Sequence, residues 1–189
     1  MPLNANAITD IATVKSMIKG IGTSDDTILE MYINGASSFF ENYCNTKFII
    51  LAITEVVDGS GFSKQIIESA PIATLTEVKY DFDTSSPSIQ TIGNFNFNSK
   101  AGIIHSKESI FPEGWQNIQI KYTSGYGAAI GNLPADLVMA CALQVEYYYK
   151  RDTADFSATF EEGFVLKAEP NEFAPRVKNL LAPFKRNVL

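Results

Sequence analysis

The chain has 189 residues, of which 46% are hydrophobic and 19% charged, so it is long enough for one domain with a sizeable core. Residues 1–172 contain 11 basic and 21 acidic residues, a net −10, whereas residues 173–189 contain four basic residues and no acid, a net +4. Such an acidic body excludes general DNA binding through phosphate neutralisation. We expect a soluble protein, because no apolar stretch reaches the roughly 20 residues that cross a bilayer and the first residues lack a signal-peptide pattern.

Two helices are predicted near the N-terminus. Thr9 or Asp10 can cap a helix over residues 10–19, which Gly20 ends. Ser24 and Asp25 can cap a longer helix over residues 24–45. Its apolar side chains recur every three or four residues and predict a broad buried face: Ile28, Tyr32, Ala36, Phe39 and Tyr43.

Residues 48–122 change to a strand-like period and predict an inserted antiparallel β-layer. The β-branched run 49–57 stops at the turn residues 58–61, which predicts a hairpin with 62–68 as its returning strand. Further strands are expected at 75–82, 102–105 and 118–122. The segment 83–100, rich in Ser and Asn, is predicted to be a polar loop, either one that faces the lumen or the tail side of an assembly or an ordinary surface loop. Trp115 is expected to pack on the β-layer beside Tyr122, with stacking on a sugar or base as the alternative.

A long helix is predicted over residues 134–151, opened by Pro134 and closed by Lys150 and Arg151. Two apolar stripes run along it, so it must be buried on two sides. The domain core covers one side, and either a neighbouring subunit or the rest of the same domain covers the other. The second stripe is the predicted subunit interface: Val138, Ala142, Val145 and Tyr149.

The chain ends in a short amphipathic segment. We divide it into a body (1–152), a linker (153–172) and a C-terminal arm (173–189). The apolar residues of the arm recur at helical spacing, but a helix this short needs a partner surface. That surface is either its own body or another protein that holds the helix in a groove.

The sequence predicts no catalytic residue, metal site or cofactor. It lacks the phosphate-binding patterns GxxxxGK[ST] and GxGxxG. Cys44 and Cys141 fall at apolar helix positions and read as buried small residues. The acidic pair 25–26 is interpreted as residues at the start of a helix, where negative charge is favoured, and the pair 161–162 as solvated. His105 is the only histidine, and a small hydrolase or ligand-binding module that uses it with nearby acids is the competing hypothesis.

The order of several motifs resembles the head-tail connector (head-completion adaptor) family of tailed bacteriophages. The similarity covers most of residues 8–152, and the last residues resemble the ends of some relatives. The motifs, in order, are YCNTKF (43–48), PIATLTEVKY (71–80), YTSGY (122–126), LPAD (133–136) and LLAPFKR (180–186).

The resemblance implies an α+β fold with a helical core of three to four helices, an inserted antiparallel β-layer and an extended C-terminal arm. It also implies a non-enzymatic virion protein, made in the host bacterial cytoplasm, that forms a ring at the neck, typically twelve-fold. Such a ring docks on the portal, extends the channel through which double-stranded DNA passes without specific binding, and receives the next neck or tail protein. Another neck or tail-completion protein is the nearest alternative. The expected portal-docking residues are Phe173, Arg176, Val177, Lys178, Leu180, Leu181, Phe184, Lys185 and Arg186.

Overall fold

The computed structural model describes residues 2–18, 21–153 and 173–186. These residues form two compact units. The helical unit contains the described residues up to Cys44 and those from Leu133 to Lys185, and the β unit contains residues 45–132 and Arg186. This grouping differs from the predicted division, since residues 173–185 belong to the helical unit. The predicted linker lies almost wholly outside the described residues.

The helical unit has four α-helices: α1 (Ile11–Met17), α2 (Asp26–Cys44), α3 (Ala135–Thr153) and α4 (Val177–Leu181). The predicted N-terminal signals are in place. The Asp10 carboxylate accepts a hydrogen bond from the Thr13 N–H at 2.7 Å, which caps α1. A 3₁₀ turn over Thr23–Asp25 leads directly into α2. The three long predicted helices are therefore confirmed within one or two residues over the part of the chain described.

Helix α3 packs against α1, α2 and α4, which explains its two apolar stripes. The Cys141 sulfur lies 3.9 Å from the Ser37 hydroxyl of α2, and the short helix α4 packs on α3 as well. The core of the unit contains Val14, Leu29, Ile33, Phe40, Leu137, Cys141, Val145, Val177 and Leu181, all fully buried. The chain itself therefore covers most of the apolar circumference of α3.

The β unit contains two antiparallel sheets. A four-stranded sheet has the order β1-β7-β3-β4 and a three-stranded sheet the order β2-β6-β5. The strands are β1 (Leu51–Gly59), β2 (Lys64–Ile66), β3 (Ile72–Tyr80), β4 (Ser88–Ile89), β5 (Phe95–Asn98), β6 (Ile103–Ser106) and β7 (Gly114–Ser124). Their shared core is Ile67, Ile72, Val78, Phe95, Ile104, Phe111, Ile118, Ile120 and Tyr122. The α+β class is confirmed.

The predicted hairpin between residues 49–57 and 62–68 is wrong. Strand β1 pairs with β7, from Leu51 opposite Ser124 to Val57 opposite Ile118, and β2 pairs with β6. The buried Gln65 side chain binds the main chain of Asp58 and Ser60, so the turn directs the chain into the second sheet. The long alternating strand β7 offers β1 more cross-strand pairs than the three residues of β2.

Part of the segment predicted as a polar loop is also a strand. Residues 95–98 form β5, which pairs with β6, and β4 adds two residues to the larger sheet. Phe95 is buried in the core and anchors this segment. Only the exposed stretch around residues 83–87 keeps the predicted loop character.

Candidate interaction surfaces

The apolar face of the C-terminal segment lies on its own helical unit. Val177 and Leu181 are fully buried and Phe184 nearly so. The ring of Phe173 packs against Phe39 and Tyr43 on α2, with centroids 4.7 and 4.6 Å apart. Of the two covers that the sequence left open, the chain's own body is therefore the one seen for these apolar side chains.

Polar contacts fix the same segment. The buried Gln144 side chain on α3 accepts a hydrogen bond from the Ala174 N–H at 2.9 Å, so α3 holds the start of the segment. At its other end the Lys185 ammonium lies 4.5 Å from the centre of the Tyr43 ring, a cation–π contact. The segment is thus held at both ends within the helical unit.

The cations of the segment face outward. Arg176, Lys178 and Lys185 are exposed, and no acid occurs between residues 173 and 186. Arg176 begins α4 in a left-handed conformation, with φ of 72°. The segment therefore presents a basic surface on a chain that is otherwise acidic, and we call Arg176, Lys178 and Lys185 the basic face.

Arg186 differs from these three cations. In the β unit its guanidinium donates hydrogen bonds to the main-chain carbonyls of Ile67 (2.8 Å), Ala101 (3.4 Å) and Glu68. Gly102 leaves the room for it, because a Cβ at that glycine would lie 2.9 Å from the guanidinium. Arg186 is thus engaged with its own chain.

The predicted subunit-interface residues on α3 separate into two pairs. Ala142 and Val145 are fully buried in the helical unit, whereas Val138 and Tyr149 are partly exposed. The burial of the first pair follows from the packing of α3 against three helices. Of these four residues, only Val138 and Tyr149 therefore have exposed surface that could contact a neighbouring subunit.

Helix α2 presents a surface that the sequence analysis missed. Its exposed residues carry no charge over four turns: Thr27, Ile28, Met31, Gly35, Ser38 and Asn42. Met31 is 55% exposed, and a Cβ at Gly35 would meet nothing within 4 Å. This face lies opposite the buried residues Leu29, Ile33 and Phe40. It includes Ile28, which the sequence analysis placed in the buried stripe but which is 37% exposed.

The described residues contain no arrangement typical of catalysis. No group of three or more His, Cys, Asp or Glu residues that could hold a metal occurs among them. His105 is exposed on β6, the central strand of the smaller sheet. Burial raises the pKa of the Cys44 thiol to about 11 and that of Cys141 to about 12, so both thiols stay protonated at neutral pH.

The first acidic pair has a structural role, as predicted. The Asp25 carboxylate accepts a hydrogen bond from the Gly22 N–H at 3.3 Å, and Asp26 pairs with Lys15. Both carboxylates lie at the start of α2, where the helix dipole favours negative charge. The second pair, residues 161–162, lies outside the described residues.

The model of the head completion protein (HCP) family matches residues 7–187 of the sequence. The chain belongs to this family. The predicted resemblance is confirmed, and with it a structural role in completing the phage head at its neck. The family match also extends through the C-terminal segment, which contains the motif LLAPFKR (180–186).

Solved structures share the fold of this chain. A chain from the neck of an empty GTA particle computed with C6 symmetry superposes with a TM-score of 0.68 at 18% sequence identity, covering 100% of this chain and 95% of that one. A chain from the neck of a native GTA particle with C12 symmetry gives 0.67 at 18% identity, covering 100% and 94%. A chain from the virion of a native gene transfer agent particle gives 0.66 at 18% identity, covering 100% and 95%.

Two further findings complete the comparison. A search of curated protein sequences gives no significant match to this head completion protein. Within the described residues, no helix is long and apolar enough to cross a membrane.

One expectation about the β unit is wrong. Trp115 does not pack beside Tyr122 but is 78% exposed at the start of β7, and Phe62 is 72% exposed in the turn before β2. The Tyr122 side chain is buried in the core of the β unit, and its hydroxyl donates a hydrogen bond to the Glu55 carboxylate at 2.5 Å. This head completion protein therefore exposes its single tryptophan.

Proposed function

We propose that the chain forms a closed ring at the neck of a phage-type particle. The proposed number of copies is twelve, because chains of the same fold occur in necks computed with six- and twelve-fold symmetry. The family match over residues 7–187 carries this proposal. The neck chains of the gene transfer agent particle, whose fold covers the whole of this chain, support it. The ring docks on the portal, extends the DNA channel and receives the next neck or tail protein.

The basic face is the proposed portal-docking element. Because Val177, Leu181 and Phe184 are buried in the helical unit, the apolar side of the segment has little surface left for a partner. Arg176 and Lys178 are exposed, with the Lys178 ammonium 5.3 Å from the centre of the Phe173 ring, and their charges favour acidic groups on the portal. Docking in this form depends on charge and weakens with salt, since exposed ion pairs are screened.

A heterologous ring contact needs two different surfaces on each subunit. The uncharged face of α2 suits one of them, because copies of an acidic chain repel one another where charges meet. Val138 and Tyr149 on α3, both partly exposed, are candidates for the other surface. The buried Ala142 and Val145 support these positions from within.

The proposed role is structural rather than enzymatic. The acidic body also suits a channel, since an excess of acidic over basic residues weakens the retention of passing phosphates. His105→Ala should leave assembly unchanged if the chain has no chemistry. Loss of particle assembly with a folded ring intact would favour either hidden chemistry, as in the hydrolase or ligand-binding alternative, or a specific contact made by His105.

The docking claim is tested with charge reversal in the intact chain. Arg176→Glu with Lys178→Glu should weaken binding to purified portal rings at least about tenfold, measured by pull-down or light scattering at two salt concentrations. The matched control is Lys64→Glu with Lys100→Glu, which reverses two exposed cations of the β unit. Equal binding by both double variants contradicts docking through the basic face.

The same pull-down separates the nearest alternative. A chain that binds tail-tube protein and not portal is another neck or tail-completion protein. Electron microscopy of the chain on portal rings then shows whether it closes into a ring and with how many copies.

A further inference from the structure

The outer edge of β1 is open. β1 is an edge strand of the four-stranded sheet, and no other described strand pairs with the side that faces away from β7. Its exposed residues include Leu51, at 44%, and Val56, at 38%. Long edges with uncharged side chains are those to which other chains add strands.

The hydrogen bonds of β7 identify which main-chain groups point outward. Just after β7, the Gly125 N–H donates to the Pro71 carbonyl at 3.0 Å, and the Asn117 carbonyl accepts from the Asp81 N–H at 2.8 Å. Both partners lie at the ends of β3, so odd-numbered residues of β7 face β3 and even-numbered residues face β1. The even-numbered residues oppose Leu51, Ile53, Glu55 and Val57. Because main-chain groups alternate along a strand, the N–H and C=O groups of Ala52, Thr54 and Val56 point to the open side.

The opposite edge of the same sheet is guarded. β4 pairs with Lys79 and Tyr80 at one end of β3, and the Gln90 N–H donates to the Val78 carbonyl at 2.9 Å. At the other end of β3, the main chain of Ile72 exchanges hydrogen bonds with Ser99 at 3.0 and 2.6 Å. The contrast with β1 within one sheet indicates that the open edge is kept for pairing.

Charge selects the kind of partner. Between residues 51 and 57 the only charged residue is Glu55, and its carboxylate turns to the inner face, where it accepts from the Tyr122 hydroxyl (2.5 Å) and the Glu68 N–H (2.8 Å). A stretch without cations offers phosphate groups nothing to bind, and the uncharged side chains of Ala52, Thr54 and Val56 limit the repulsion between copies of a chain with net charge −6. A second copy of this chain fits it best.

We propose that β1 accepts an extended strand from a second copy, through the main-chain groups of Ala52, Thr54 and Val56, as a contact between subunits. This inference rests on the proposed ring and names one of its two joining surfaces. Strand addition supplies directional hydrogen bonds with little demand on side chains. It also suits a heterologous contact, because the guarded edge of β3 cannot play the same part.

The test uses the full chain with Thr54→Pro. This change removes an outward N–H and places the proline ring on the open side, while the hydrogen bonds from neighbouring residues to β7 remain; edge strands tolerate proline. Thr54→Val is the matched control, since it keeps the N–H and the shape of the side chain. We expect the proline variant to stay folded by circular dichroism and its ring to dissociate at a concentration at least about tenfold higher, with the valine variant like wild type.

Amide exchange gives a second readout that does not depend on a variant. In the wild-type ring the peptide covering residues 51–57 should exchange at least about tenfold more slowly than in the dissociated chain. Rings of unchanged stability with Thr54→Pro, or amides that gain protection only when the portal or the next neck protein is added, overturn the inference and leave the ring. A wild-type chain that forms no ring, alone or on portal, overturns the proposed function itself.

Discussion

The two units handle apolar surface in opposite ways. The helical unit uses its C-terminal segment to cover its own apolar residues, and its outward surface is an uncharged face on α2 and a basic face on the segment. The β unit leaves large apolar side chains exposed, among them Phe62, Ile66, Ile110 and Trp115. One of its strands has an open edge. Among the described residues, most of the large exposed apolar side chains therefore lie in the β unit, whereas the helical unit exposes fewer, Ile28, Met31 and Met139, and carries the basic face.

The difference teaches that an apolar stripe is a poor guide to a partner by itself. Two apolar surfaces, the second stripe of α3 and the face of residues 173–184, each suggested an external cover. In the structure α3 and α4 pack on each other, so much of each surface is covered by the other. What remains outside is distinguished by charge instead.

The largest expected effect concerns the place of Leu181 in the helical core. Leu181→Ala should lower the free energy of unfolding by about 2–5 kcal/mol, because the side chain is fully buried and its removal leaves a cavity. Urea denaturation followed by circular dichroism measures it. Leu180→Ala, which truncates the partly exposed neighbour, is the matched control and should cost about 1 kcal/mol or less. Equal small effects would mean that the segment is not part of the core, and the contrast between the units would fail.

Local signals in the sequence were enough for the helices. Caps such as Asp10 and the three-to-four spacing of apolar residues act within one or two turns, so α1, α2 and α3 lie where they were predicted. Pairing of strands is not local: β1 meets β7, more than 50 residues along the chain, and nothing in the run 49–57 specifies that partner. The basic residues of the C-terminal segment could be identified directly from the sequence, but which side of the segment faces outward depended on its packing against α2 and α3.

A second prediction uses pH to separate the units. Both cysteines of the chain lie in the helical unit, and burial raises the pKa of Cys141 to about 12 and that of Cys44 to about 11. In the unfolded chain thiols ionise near 8.5. A folded pKa above the unfolded one gives stability that is present below about pH 8.5 and is lost as pH rises toward the folded value.

We therefore expect the free energy of unfolding of the helical unit to fall by about 1–2 kcal/mol per thiol between pH 8.5 and 10. Urea titrations followed by helical circular dichroism at pH 7.5, 8.5 and 10 measure this change. Cys141→Ala should lower stability at pH 7.5 slightly but make the loss toward pH 10 shallower, because one titrating group is gone. An unchanged slope in that variant would show that the buried thiol does not drive the alkaline loss.

The smallest effect on stability is expected at Trp115, and it tests the other half of the comparison. Because the ring is 78% exposed, Trp115→Ala should change the free energy of unfolding by less than about 0.5 kcal/mol. Tyr122→Phe is the internal control: it removes the hydroxyl that binds Glu55 and the Ser69 N–H, and should cost about 1–2 kcal/mol in the same unit. If Trp115→Ala is the more destabilising of the two, the tryptophan is a core residue after all and the β unit does not keep it exposed. If its stability effect is negligible while binding to a neck or tail partner falls, exposed apolar side chains of the β unit serve recognition, in contrast to the charge proposed to serve it in the helical unit.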